Sequence, residues 1–209
     1  MDDERKMNII NAAIQIIGVK GYTKAKIHDI SEEAGVASGL IYSPNFFKNK
    51  LDLLLSIVLG FWKTLNDRIE ERVKPQQDPV EQLDEIVAIL EEFLIKTKHS
   101  IYLSKVVHES LPHIYSIKDD ELAGKREEIT KENRKLLNTI DEIIKKGQEK
   151  GDFDNTFKPG LMRQVLYGAF EFLAYGIYLK IARKEPVFVS FIPDIRLVCI
   201  DPICLRFRL

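Results

Sequence analysis

The chain has 209 residues, 30% of them charged and 45% hydrophobic, with a formal net charge of −1. This is the composition of a soluble globular protein of one large or two small domains. It excludes a generally basic nucleic-acid binder, so any charged footprint must be local, and the segment Lys20 to Lys50 carries only +2.

In chain order, residues 4–19 place Met7, Ile10, Ala13, Ile14 and Ile17 at helical spacing, and Gly21 ends the run. Two short helices are predicted over 27–34 and 37–43, joined by the turn Ala34-Gly35-Val36. Pro44 stops the second, because proline lacks an N–H and biases the residue before it away from helix. This layout is that of a helix-turn-helix, whose second helix enters the DNA major groove. Asn49 is a candidate cap for a long helix over 50–74, with Leu54, Ile57, Val58, Phe61, Trp62 and Leu65 as its stripe.

Asp78-Pro79 then opens a helix over 79–97, followed by a shorter one over 100–110 that Pro112 should stop. A long charged helix covers 121–150, and a last one runs over 160–183. That last helix is apolar almost all round, so it is expected to be buried on more than one side. Residues 185–209 carry Pro186, Pro193 and Pro202 and read as irregular or as a short strand pair. The expected fold is all-α: an N-terminal three-helix unit at 1–50, and a larger helical unit at 51–184 with 50–74 as the connecting helix.

No apolar run is long enough to span a bilayer, and the acidic start Met1-Asp2-Asp3-Glu4 argues against a signal peptide. Cys199 and Cys204 do not make a disulfide framework, so a cytoplasmic protein is expected.

The segments Gly21-Tyr22, Ile27-His28-Asp29-Ile30-Ser31, Ala34 to Tyr42, Phe47-Lys48-Asn49-Lys50 and Asp52-Leu53-Leu54 together resemble the tetracycline-repressor (TetR) family of transcriptional regulators. Glu142–Phe153 with Leu166-Tyr167-Gly168-Ala169 is similar to its fatty-acid-degradation (FadR-like) branch. The resemblance implies a homodimer, joined through the 160–183 helix, that binds double-stranded palindromic operator DNA as a repressor. A small hydrophobic effector, with long-chain acyl-coenzyme A favoured, would tilt the 50–74 helix and release the DNA. Carried over by position, Ser38, Gly39 and Leu40 would meet base edges, and Tyr42 and Lys50 would meet phosphates. The alternative for Tyr42 is a core tyrosine of the three-helix unit, with the phosphate contact the favoured reading.

The sequence departs from the family pattern at its C-terminal end, where residues 186–209 do not read as the helix with which the family normally finishes, and in two places around the motif. Ala25-Lys26 stand where a Thr or Ser usually caps the first motif helix, leaving Thr23 to cap from further back, or Lys26 free to reach a phosphate. Tyr42 and Phe47 enclose four residues where the family has two, which shortens the second motif helix. That shortening sustains a rival reading, a small-molecule-binding or protein-interaction module with weakened DNA reading.

Other constellations allow more than one reading. Tyr102, Tyr115, Tyr167, Phe170 and Tyr175 could line an effector pocket or be plain core. Arg134 could meet an acidic headgroup or pair with a neighbouring Glu. Glu171, in the apolar helix, could orient a ligand or bond across the dimer interface. His99, His108 and His113 with Glu109 match no common metal spacing, so no metal and no cofactor are expected. No nucleophile elbow or phosphate-binding glycine loop occurs, and an enzyme is not expected.

Overall fold

The computed structural model describes residues 2–94, 98–117 and 120–185. These residues form helices and, among themselves, no strand. α1 (Asp2–Lys20) buries Ile9, Ala13, Ile14 and Ile17. α2 (Ile27–Glu33) starts at the capping position of Lys26, where the Asp29 carboxylate accepts the Lys26 backbone N–H at 3.2 Å. Asp29 thus ties the helix back to the residue before it, while no side-chain oxygen at Lys26 caps the first-turn N–H groups as a Thr or Ser would. Gly35 takes a φ of +67°, a conformation that costs other residues and that turns the chain between the two motif helices.

α3 (Ser38–Ile41) is shorter than the expected 37–43. Backbone bonds from Ser43 to Leu40 (3.0 Å), from Phe46 to Ser43 (3.0 Å) and from Phe47 to Ile41 (3.1 Å) carry the chain past Pro44 as turns. α4 (Lys50–Arg72) is capped by Asn49, whose side-chain oxygen accepts the Asp52 N–H at 2.8 Å. α5 (Pro79–Leu94) is capped by Asp78 through the Val80 N–H at 2.9 Å.

α6 (Lys98–Tyr115) corrects the expected stop at Pro112. The helix runs one further turn: Pro112 stands on the exposed face, where water can meet the His108 carbonyl that a backbone N–H at 112 would have bonded. α7 (Asp120–Lys150) and α8 (Pro159–Ala182) complete the set. In the single chain α8 is buried on one side, by Met162, Leu166 and Phe170, and not on several. Leu161, Val165, Phe172 and Tyr175 remain exposed. The expected irregular tail lies, from residue 186 on, outside the described residues.

The described residues pack as two compact units, one within 1–63 and 97–131, the other within 64–96 and 132–209. In the first, α1 packs on α6 and α2, and α2 packs on α3. The Lys105 ammonium donates to the Gly18 carbonyl at 2.7 Å, tying α6 to the end of α1. In the second, Asn66 donates to the backbone and side chain of Glu132 at 2.9 and 2.8 Å, joining α4 to α7. Its core is built on Leu65, Leu83, Leu136, Ile144 and Phe170, all buried.

Candidate nucleic-acid interface and apolar cavity

The motif helices expose Lys26, Ser38 and Gly39, half-bury Leu40 and leave Tyr42 43% exposed. Ile41 between them is fully buried and anchors α3. The Ser31 hydroxyl donates to the His28 carbonyl at 2.9 Å and lies 2.6 Å from the Ser38 hydroxyl. With the Ser31 proton committed, Ser38 must donate to Ser31, so Ser38 stitches α3 to α2 and keeps only acceptor capacity for a base edge.

Lys50 is half-buried. Its ammonium donates to the Tyr22 carbonyl and stands 4.5 Å from the centroid of the Tyr22 ring. Burial lowers the Lys50 pKa. Burial also raises the Tyr22 phenol, with a smaller push from the neighbouring Tyr42. Lys20 pairs with Asp29 at 2.8 Å, and that bond, followed by the Lys26 N–H, holds the Asp29 carboxyl below its usual range. The modest positive charge of the segment is therefore partly neutralised on its own surface.

In the second unit, Leu83, Ile86, Val87 and Leu90 of α5, Ile140 of α7, and Leu166, Tyr167 and Phe170 of α8 line an apolar cavity. Its volume is about 20 Å³, room for one small group, so a longer ligand requires these helices to part. Tyr167 hydrogen-bonds Glu171; burial, and then the Glu171 charge, drive the Tyr167 pKa far up, so the phenol keeps its proton.

Of the residues expected at a pocket, Tyr167 and Phe170 line this cavity, and Glu171 adjoins it through Tyr167. The others are not gathered there. Tyr102 is buried in the first unit, Tyr115 ends α6 with 77% exposure, Arg134 is exposed on α7, and Tyr175 is on the outer face of α8. An aromatic at helical spacing does not by itself say which neighbour its face meets. Leu83, Ile86, Val87, Leu90 and Ile140 carry in the sequence only the apolar spacing of a helix core, with no signal of a cavity. Among the described residues, no three His, Cys, Asp or Glu side chains are grouped to hold a metal, and no helix is long and apolar enough to cross a membrane.

Two family models match the chain. That for bacterial regulatory proteins of the tetR family covers residues 9–57, and that for the YsiA-like protein C-terminal region covers 62–174. The chain is 28% identical over 165 residues to a fatty acid metabolism regulator protein of Bacillus subtilis, covering 79% of each chain. Its fold is similar to that of the fatty acid degradation regulator FadR from Bacillus halodurans, with TM-score 0.69 and 26% identity over 92% of this chain and 96% of that one. FadR from Bacillus subtilis, solved in complex with stearoyl-CoA, shares the fold with TM-score 0.69 and 24% identity over 92% and 97% of the two chains.

Proposed function

This chain belongs to the TetR family of bacterial regulatory proteins, and we propose that it acts there as a homodimeric, cytoplasmic repressor released from a palindromic operator by a long-chain acyl-coenzyme A. That it is a DNA-binding transcriptional regulator, and not an enzyme, follows from the family. What supports the effector assignment is the similarity, over 79% of the chain, to a fatty acid metabolism regulator; the cavity between α5, α7 and α8, about 20 Å³, offers an apolar lining once these helices part. An acyl chain is the ligand chemistry that such a lining rewards. A structure of similar fold holds stearoyl-CoA.

On this reading the reading head is residues 1–50 and the effector and dimer part is 51–184. Ser38, Gly39 and Leu40 lie against base edges, and Lys26, Tyr42 and Lys50 meet phosphates. The homodimer forms through α8, whose exposed Leu161, Val165, Phe172 and Tyr175 make the apolar face that a second copy would cover.

The four-residue α3 favours a second reading, in which DNA is held weakly and the chain serves chiefly to bind a small molecule. One experiment separates the two. A duplex is selected from a random pool by the protein, and its release is measured against a panel of acyl-coenzymes A and free fatty acids, with thermal shift in parallel. The repressor reading expects a selected palindrome, bound with steep salt dependence and released by the acyl-coenzyme A that raises the melting temperature most. A thermal shift with no selected duplex supports the second reading. No response to any acyl-coenzyme A sinks the effector assignment.

A further inference from the structure

Tyr22 is the meeting point of three elements in the first unit. It follows α1, it holds the first residue of α4, and it touches the last turn of α6. Its carbonyl accepts from the Lys50 ammonium, and its ring lies 4.5 Å from the same ammonium. That ring also meets the His113 imidazole, with centroids 4.5 Å apart and planes tilted by 53°. The backbone before Tyr22 is fixed at Gly21, whose N–H donates to the Ile17 carbonyl at 2.8 Å and whose carbonyl accepts the Ala25 N–H at 3.1 Å.

We propose that Tyr22 is a positioning residue for DNA binding, holding the Lys50 ammonium toward a phosphate under the control of His113 on α6. A lysine ammonium has three donors. The Tyr22 carbonyl takes one, and the ring attracts the charge from one side, which leaves a donor for a phosphate. A lysine held in this way has already lost much of the rotamer freedom that a phosphate contact would otherwise remove. The hold depends on where the ring lies, and the ring rests on His113. α6 is fixed to α1 at a second point, Lys105 on the Gly18 carbonyl at 2.7 Å. A shift of α6 that draws His113 away therefore withdraws support from the ring, and with it the orientation of Lys50.

This inference rests on the reading that Lys50 meets a phosphate. The test uses the full chain and the duplex selected by the wild type, with affinity measured against KCl concentration. Lys50→Met is expected to reduce the log–log salt slope by about one per half-site. Tyr22→Leu, which loses the ring but keeps the backbone carbonyl, should remove part of that amount, and Tyr22→Leu with Lys50→Met should remove no more than Lys50→Met alone. Tyr22→Phe, which keeps ring and carbonyl, should retain the slope. His113→Ala should lose part of it and His113→Phe should restore it.

A lower affinity for Tyr22→Leu with an unchanged slope, or losses that add to those of Lys50→Met, overturns the proposal and leaves Tyr22 a purely structural residue. An unchanged slope in Lys50→Met instead fails the phosphate reading itself. If Tyr22→Leu does not fold, the His113→Ala and His113→Phe pair in the presence and absence of Lys50 decides the matter by the same additivity criterion.

Discussion

Phe153 lies directly on Gly147: a Cβ added at Gly147 would fall 2.1 Å from the Phe153 ring, and the Phe153 N–H donates to the Gly147 carbonyl at 3.2 Å. Glycine within a helix is a poor choice by about 1 kcal/mol against alanine. Here it makes room for a fully buried ring that closes the end of α7. Gly147→Ala is therefore expected to lower stability by about 1–3 kcal/mol in urea unfolding despite the better helix former. Adding Phe153→Leu to Gly147→Ala should cost less than Phe153→Leu costs alone. A Gly147→Ala protein as stable as the wild type would show that the ring yields freely.

Lys125 on α7 pairs with Asp52 in the first turn of α4, and also donates to the Ser56 hydroxyl at 2.9 Å. The Asp52 carboxylate is buried and further accepts the Lys48 N–H at 3.0 Å. Lys125→Met leaves a buried carboxylate without its cation, a change that typically costs about 3 kcal/mol or more. Asp52→Asn in the same chain removes the stranded charge and keeps an oxygen for the Lys48 N–H. The double variant should thus be more stable than Lys125→Met alone, as read by urea midpoints. The reverse order would mean that solvent already screens Asp52.

The parts of this architecture that could be read from sequence are those fixed by near neighbours. Gly35, Asn49 and Asp78 were each identified by the one backbone group that they satisfy or the one turn that they permit. The apolar stripe of α4 is likewise legible, because a helical period needs only residues three and four apart. Pro112 is not an absolute helix breaker, because on the exposed face of α6 solvent can take the carbonyl that it leaves without a backbone donor. The partners of Lys50, Asp52 and Tyr22 were not legible. Lys125 stands 73 positions from Asp52. Periodicity says which face of a helix is apolar, and leaves open which other helix it meets. The same limit explains why Tyr167 and Phe170 line the cavity while Tyr102 and Tyr115, with equal claims from sequence, lie in the other unit.

The raised pKa of Tyr167 makes stability depend on pH on the alkaline side. An unfolded tyrosine loses its proton near pH 10. The folded phenol, buried and beside Glu171, keeps its proton well above that. Between the two values the folded state binds more protons than the unfolded one, so stability falls as pH rises. The loss begins at about pH 10 and has a slope of up to about 1.4 kcal/mol per pH unit from this group. Below pH 10 Tyr167 adds no slope. Tyr167→Phe should flatten the wild-type decline in urea unfolding measured between pH 9.5 and 11. An identical decline in both proteins would place its origin elsewhere.

The outer face of α8 gives the sharpest test of assembly. Val165 is 57% exposed and Phe172 78% exposed in the single chain. They stand seven residues apart, on one side of the helix, with Leu161 and Tyr175 extending the row. Because these side chains support no core of their own, replacing them with charges should leave the fold of the chain intact. A charge placed in an apolar face between two copies is costly on both sides of the two-fold axis, since each substitution is met twice. Val165→Glu with Phe172→Glu is expected to convert a dimer to a monomer in light scattering, with the helical signal and the acyl-coenzyme A thermal shift retained. Affinity for a two-half-site duplex should fall to near that for a single half-site. A variant that remains dimeric would show that the copies meet through another face, and that the exposed row on α8 serves some other partner.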